Sequence, residues 1–411
     1  MTSLAIRNTK VFDGLGFLDG SYDVLVQEKT IEDVSPYSAD RRFEGVKEIS
    51  AEGCTLMPGL IDLHVHLTWN GGPDPANDIR RETFAEHMMT TVSSALSYLP
   101  KGITSVRDLG SPEDSCLHVE NAILAGKFEG PRIFGSGQSI IMTGGHDPFH
   151  GIMADGPWEA LKAVRTQAAK GAKVIKISAT GGVYGREEGE GVDDVELRQE
   201  EVDIIVDEAH RRNLRVTAHA IGESGIRGCI DAGIDCIEHG HCITEKMAVE
   251  MHEKGIALVP TFYIYQHLSS TETVPGYARE KARQIIGRHR DALKWAHERG
   301  VLIGAGSDAG SPFGPHPLLL KEIIALTDGG LTNSEALTAA TYNAAKILGI
   351  EDRLGSVKKG MLADLVLVCG DPFKELKILE SPMLVLKDGK TVFSNGADLL
   401  LNRRNMNVVT I

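Results

Sequence analysis

Between residues 60 and 308 the chain repeats one pattern: a short apolar run, then a longer stretch with apolar residues at helical spacing. Eight apolar runs occur in order: Leu60–His66, Ile103–Asp108, Arg132–Gly135, Val174–Ser178, Arg215–His219, Cys236–His239, Ala257–Thr261 and Leu302–Asp308. Several are fed by a glycine turn, such as Lys101-Gly102 or Lys254-Gly255. The stretches between them read as helices. Glu200 to Asn213 carries Val202, Ile205, Val206 and Ala209 on one face, and Glu245 to Lys254 and Ala278 to Arg299 are similar. Strand–helix alternation with short links requires parallel strands and right-handed crossovers. Eight such units predict an α/β chain folded as a closed (β/α)8 TIM barrel, which takes up about 250 residues or more by itself.

The flanks read differently. Leu4-Ala5-Ile6 and Val24-Leu25-Val26 near the start are strand-like, as are Leu365 to Val368 and Met383 to Leu386 near the end. Asp13-Gly14, Asp19-Gly20 and Asp388-Gly389 are turn signals between apolar runs. The expectation is a small β-sandwich domain built from residues 1–58 and 359–411, with the barrel at 59–358.

Composition narrows the function classes. Lysine and arginine number 43 against 57 acids, a net charge of −14. Nucleic acid and anionic membrane both demand a basic surface, so neither is an expected partner. No stretch approaches the roughly 20 apolar residues of a membrane span, and the N-terminus lacks a signal-peptide apolar run. The six cysteines include no C-x-x-C pair and are too few for a disulfide framework, so a cytoplasmic protein with core thiols is expected.

In a barrel of this kind, chemistry sits at the C-terminal ends of the strands. The first run ends Asp62-Leu63-His64-Val65-His66. Side chains alternate along a strand, so His64 and His66 share a face and can grip one cation. The fifth run ends at His219, the sixth at His239 and the eighth at Asp308. A buried carboxylate at such a place needs a cation or a donor. The fourth run, Val174-Ile175-Lys176-Ile177-Ser178, is the most informative. A lysine inside a barrel strand is costly unless paired or neutral. Either Lys176 meets a carboxylate, or its neutral amine has captured CO2 as a carbamate, an anionic ligand able to bridge two metals. His241 is an alternative to His239 if the sixth strand ends later. Ser307 lacks the G-x-S-x-G surroundings of a nucleophile.

With these residues in place, the chain resembles the amidohydrolase superfamily over nearly its whole length. Pro58-Gly59-Leu60-Ile61-Asp62-Leu63-His64-Val65-His66 is similar to that family's first-strand signature, and Gly360 to Val366 to a motif of its small β domain. Val174 to Gly182 and Thr143-Gly144-Gly145-His146 resemble the prolidase-like branch, whose members cleave Xaa-Pro and other dipeptides, N-acyl amino acids and some ochratoxin-type amides.

The resemblance implies two divalent ions, usually zinc. His64, His66 and Asp308 would hold one, His219 and His239 the other, with carbamylated Lys176 and a hydroxide between them. It implies hydrolysis of a small-molecule amide or dipeptide, Asp308 moving the proton and His146 helping to stabilise the oxyanion. Where many members carry tyrosine two residues after the fifth-strand histidine, this chain has Ile221. His146 and Tyr184 are then the candidates for polar substrate contacts.

The stretch from Gly181 to Asp194, with five glycines and the acids Glu187, Glu188, Glu190, Asp193 and Asp194, reads either as a lid or as a solvated loop. Thr261 to Tyr265 offers aromatic walls, and His316 in Pro315-His316-Pro317 orders a loop. The rival activities are a mononuclear deaminase and a lactone or phosphotriester hydrolase, with a non-catalytic relative behind them. Assembly as a homo-oligomer stays open.

Overall fold

A computed structural model describes residues 3–184 and 189–396. Strands are numbered in chain order. The N-terminal part supplies β1 (Ser3–Val11), β2 (Tyr22–Gln27), β3 (Thr30–Pro36), β4 (Lys47–Ser50) and β5 (Cys54–Pro58). The middle supplies β6 (Leu60–Val65), β7 (Ile103–Asp108), β8 (Arg132–Ile133), β9 (Ser139–Ile141), β10 (Gly151–Met153), β11 (Val174–Ser178), β12 (Arg215–Ala220), β13 (Cys236–His239) and β14 (Ala257–Val259). The C-terminal part adds β15 (Leu365–Cys369), β16 (Leu384–Lys387) and β17 (Lys390–Ser394).

Two compact units emerge. The first comprises the described residues of Met1–Ile61, Tyr98–Thr104 and Thr332–Ile411, and the second Asp62–Ser97 and Ser105–Leu331. In the first, strands from both chain ends join one eight-stranded sheet, ordered β17-β16-β15-β5-β1-β2-β3 with β4 against β1. The apolar runs noted above supply its core, including Leu4, Ile6, Val24, Val26, Leu365, Leu367, Leu384 and Leu386. The Asp388-Gly389 turn behaves as its chemistry dictates. Lys387 pairs with Lys390, so the loop has two residues, and both take positive φ (47° and 70°), as a primed hairpin turn requires.

The second unit is an α/β assembly of parallel strands. Their runs form a six-stranded sheet, β10-β9-β11-β12-β13-β14, and a three-stranded sheet, β6-β7-β8. Seven of the eight expected strands appear, most within a residue or two. The eighth, 302–308, forms no continuous ladder. It makes single parallel bridges, Ile303 to Leu258 on one side and Ala309 to Val65 on the other. Strands β9 and β10 were not expected. Ser139–Ile141 and Gly151–Met153 are three-residue pieces too short for a periodicity to show.

The register of the central strands places the candidate residues. Lys176 lies beside Thr217 and Ser178 beside His219, while Ala220 lies beside His239. All five residues of β11 are buried, as in a parallel strand covered on both faces. The helix Gln199–His210 buries Val202, Ile205, Val206 and Ala209, the expected stripe. Among the described residues no helix is long and apolar enough to cross a membrane.

Candidate metal centre and substrate cleft

His64, His66, Lys176, His219, His239 and Asp308 are all buried in the second unit, each less than a tenth exposed. Asp308 Oδ1 stands 3.6 Å from His64 Nε2 and 3.5 Å from His66 Nε2. The ring centroids of His64 and His239 are 5.0 Å apart, and those of His219 and His239 are 4.6 Å apart. One donor atom each from His64, His239 and Asp308 falls within 4.8 Å of the others. Lys176 is close enough for its charge to bear on all four histidines. Among the described residues no carboxylate comes within ion-pair distance of its amine, so the paired-lysine reading is not realised. Burial, reinforced by Arg107 and opposed by Glu238 and Asp308, pulls the Lys176 ammonium down to about 8.

The sixth and eighth strands deliver their ligands by leaving β geometry. His239 has φ +69° and Asp308 φ +54°, both in the left-handed region that non-glycine residues rarely occupy. Such strain persists where surrounding structure over-determines it, and it clusters at functional sites. At His239 it breaks the side-chain alternation, and His64 therefore meets both Glu238 and His239, consecutive residues of one strand. Gly306 serves the same crowding: a Cβ there would lie 2.9 Å from the His64 backbone nitrogen.

The second nitrogen of each imidazole is tied down. His64 Nδ1 lies 2.8 Å from Glu238 Oε2, and His66 Nδ1 lies 3.2 Å from the Gly110 carbonyl. Thr261 Oγ1 donates to the Pro260 carbonyl and accepts from His239 Nδ1 at 2.8 Å. His219 is the exception in polarity, since its Nε2 meets the Gly181 carbonyl at 3.2 Å. These contacts fix one tautomer per ring and leave the opposite nitrogen with its lone pair, the arrangement metal-binding histidines use. Burial holds His66, His219 and His239 well below the ordinary imidazole range, so they remain neutral. Four neutral imidazoles, a carboxylate and a lysine fit a pair of divalent cations.

Sequence reasoning missed the layer behind these ligands. Glu238, wholly buried, accepts from Arg107 Nη2 at 2.6 Å and from Thr217 Oγ1 as well as from His64. Arg107 Nε donates to the Leu63 carbonyl at 2.6 Å. The sequence signal was a charged residue within each of two fully buried short strands, Arg107 in β7 and Glu238 in β13. Trp69 and His150 each stack near His66, with ring centroids at 5.0 and 5.1 Å, and lie 5.6 Å from one another. Trp69 Nε1 donates to His150 Nδ1 at 3.2 Å.

An open cleft adjoins the ligands, walled by Trp69, Val183, Tyr184, Tyr265 and Leu268 with His146, Asp147 and Ser311. His146 and Tyr184 do line it, but neither offers the free donor expected of it. His146 Nδ1 is 2.5 Å from Glu190 Oε1 and its Nε2 is 2.9 Å from Asp147 Oδ2. Burial opposes the charged ring, yet these two carboxylates hold His146 well above the ordinary imidazole range. Gly182 lets this ring in, since a Cβ there would fall 2.1 Å from its Cε1. Tyr184 Oη donates to Asp74 at 2.5 Å and accepts from the Ala76 amide. Ile221 is buried, its amide donating to Thr180 Oγ1.

The remaining candidates sort cleanly. His241 is turned into a stack with His289 at 3.8 Å, with its ring 6.4 Å from that of His239, and is not grouped with the ligands. Ser307 Oγ donates to Asp62 at 2.6 Å and is spent. His316 Nε2 bonds the carbonyls of His66 and Trp69, which orders that loop. Glu187 and Glu188 lie outside the described residues, while Glu190 is buried on His146 rather than solvated.

Residues 55–397 match the model of the amidohydrolase family, and the chain belongs to that family. It falls in the prolidase-like branch and is a hydrolase of C–N bonds. It is 33% identical over 362 residues to an ochratoxinase of Aspergillus niger, covering 80% of this chain and 73% of the relative. The crystal structure of A. niger ochratoxinase superposes with a TM-score of 0.86 at 27% identity, covering 96% of each chain. A Xaa-Pro dipeptidase with bound methionine superposes with a TM-score of 0.86 at 30% identity, covering 96% of this chain and 100% of the other. A prolidase complexed with N-methylphosphonate-L-proline gives a TM-score of 0.87 at 29% identity, with the same coverage.

Proposed function

We propose that the protein hydrolyses small amides, of the Xaa-Pro dipeptide or N-acyl amino acid type, in the cleft beside His64, His66, Lys176, His219, His239 and Asp308. We read the two parallel sheets and the 302–308 segment as one (β/α)8 barrel spanning 59–358, and the eight-stranded sheet as the β-sandwich domain of 1–58 and 359–411. The observation that carries the functional reading is the convergence of four neutral, tautomer-fixed histidines and one carboxylate around a buried lysine that has no ion-pair partner among the described residues. The relatives named for dipeptide and ochratoxin cleavage support the substrate class.

His64, His66 and Asp308 would hold one divalent ion and His219 and His239 the other, with Lys176 as a carbamate between them. Zinc suits this set of imidazole and oxygen ligands. Such a pair, when bound, polarises a carbonyl and lowers the pKa of water so that a nucleophile exists near neutral pH. The protein's own residues do the rest. Asp308, poised between His64 and His66, takes the proton released as the carbonyl carbon is attacked and passes it to the departing nitrogen. Trp69, Tyr184 and Leu268 pack the substrate's apolar parts and exclude water from the scissile bond. The His146 imidazolium, held between Asp147 and Glu190, offsets part of their negative charge beside the cleft.

The test is a library of dipeptides and N-acyl amino acids, assayed with zinc and bicarbonate added. Turnover of at least one class, abolished by Asp308→Asn, is the expected result. An enzyme that instead released ammonia from nucleobases with one metal per chain would be a deaminase.

A further inference from the structure

We infer that Tyr265 supplies the hydrogen bond that meets the substrate's carbonyl oxygen as it becomes an oxyanion. The inference rests on the amide-hydrolase reading and adds a catalytic donor to it. An accounting of the cleft's polar atoms leads there. Both nitrogens of His146 are committed to Glu190 and Asp147, and the Tyr184 hydroxyl to Asp74. The Trp69 indole N–H is committed to His150. Among the described residues no hydrogen bond engages the hydroxyl of Tyr265 or that of Ser311, and both residues line the cleft.

Tyr265 is held by ring contacts on several sides. Its ring meets His241 edge-on at 4.2 Å, His239 at 5.4 Å and His289 at 5.6 Å. The helix that carries it, Phe262–Ser270, is anchored at its first turn. Glu322, wholly buried, accepts from the Phe262 amide through one oxygen (2.8 Å) and from the Tyr263 amide through the other (2.7 Å). Thr261, just before this helix, is the residue that orients His239. One short segment therefore fixes both a ligand ring and the phenol packed against it. Donors that stabilise a developing oxyanion act through such preorganisation, because no reorganisation is needed at the moment of reaction.

The experiment compares Tyr265→Phe and Ser311→Ala with the parent, all loaded with zinc, on the best amide substrate. Binding of a phosphonate tetrahedral mimic and of the carboxylate product is measured by calorimetry. For Tyr265→Phe we expect kcat to fall by roughly 10²–10³-fold, the usual loss of one oxyanion donor. KM and product binding should stay within about threefold, since the interaction is made only in the transition state. Phosphonate binding should weaken by at least tenfold, with Tm and metal content unchanged, and Ser311→Ala should lose less than Tyr265→Phe on every measure. A Tyr265→Phe enzyme with parental kcat, a loss confined to KM, or a larger loss in Ser311→Ala would each overturn the inference while leaving the amide-hydrolase reading intact. An inert parent would sink that reading itself, and this donor with it.

Discussion

His64 is held between two carboxylates, its Nδ1 2.8 Å from Glu238 and its Nε2 3.6 Å from Asp308. The first contact is structural and the second faces the proposed cations. Glu238 is in turn held by Arg107 at 2.6 Å. A carboxylate that accepts from an imidazole N–H fixes the tautomer and raises ligand basicity. Glu238→Gln puts an amide NH2 where one of several donors now points. We predict that zinc affinity, measured by chelator competition, falls by about 10–100-fold. Unchanged affinity would mean that Glu238 serves packing alone.

Arg107 has a different expected signature. Arg107→Met leaves the fully buried Glu238 without its cationic partner, and breaking a buried pair in this way costs about 3–5 kcal/mol. Urea denaturation of the metal-free protein should register that loss; an unchanged midpoint would contradict it.

Lys176→Ala removes the side chain proposed to join the ligands as a carbamate. The variant should lose most activity and part of its bound metal, with partial rescue by short carboxylic acids that replace the carbamate oxygens. Protein prepared with 13C-bicarbonate should show a bound carbamate carbon by NMR that is missing from the variant. Normal turnover by Lys176→Ala would rule out the bridging role.

Glu322 gives a pH signature away from the ligands. Burial, only partly offset by the Tyr263 and Phe262 amides, raises its carboxyl from 4.5 to about 8. Between those values the unfolded chain has lost this proton and the folded chain still holds it. The folded state binds more protons, so this group's contribution to stability falls as pH rises from 4.5 to 8. Glu322→Gln should flatten that slope in urea titrations. A slope identical to the parent would contradict the raised carboxyl.

Much of this was legible in the residue pattern. The strand carrying Lys176, the strand ends at His64, His66, His219 and His239, and the helix stripe of 199–210 follow from side-chain alternation and helical period. What could not be read was anything that depends on departures from regular geometry. The left-handed backbone at His239 and Asp308 lets adjacent residues of one strand face the same site, against the alternation rule. Glu190, which meets His146, and Asp74, which meets Tyr184, are distant in sequence, and only the folded chain brings them to their partners. The 302–308 segment reads as a strand, yet its single bridges give no ladder.

The central claim is that His64, His66, Lys176, His219, His239 and Asp308 gather two divalent ions. Anomalous diffraction at the zinc edge, on crystals of protein grown with zinc and bicarbonate, addresses it directly. The account predicts two anomalous peaks among these six side chains, with density extending from the Lys176 amine. No peak there, or peaks only at surface histidines, would contradict it.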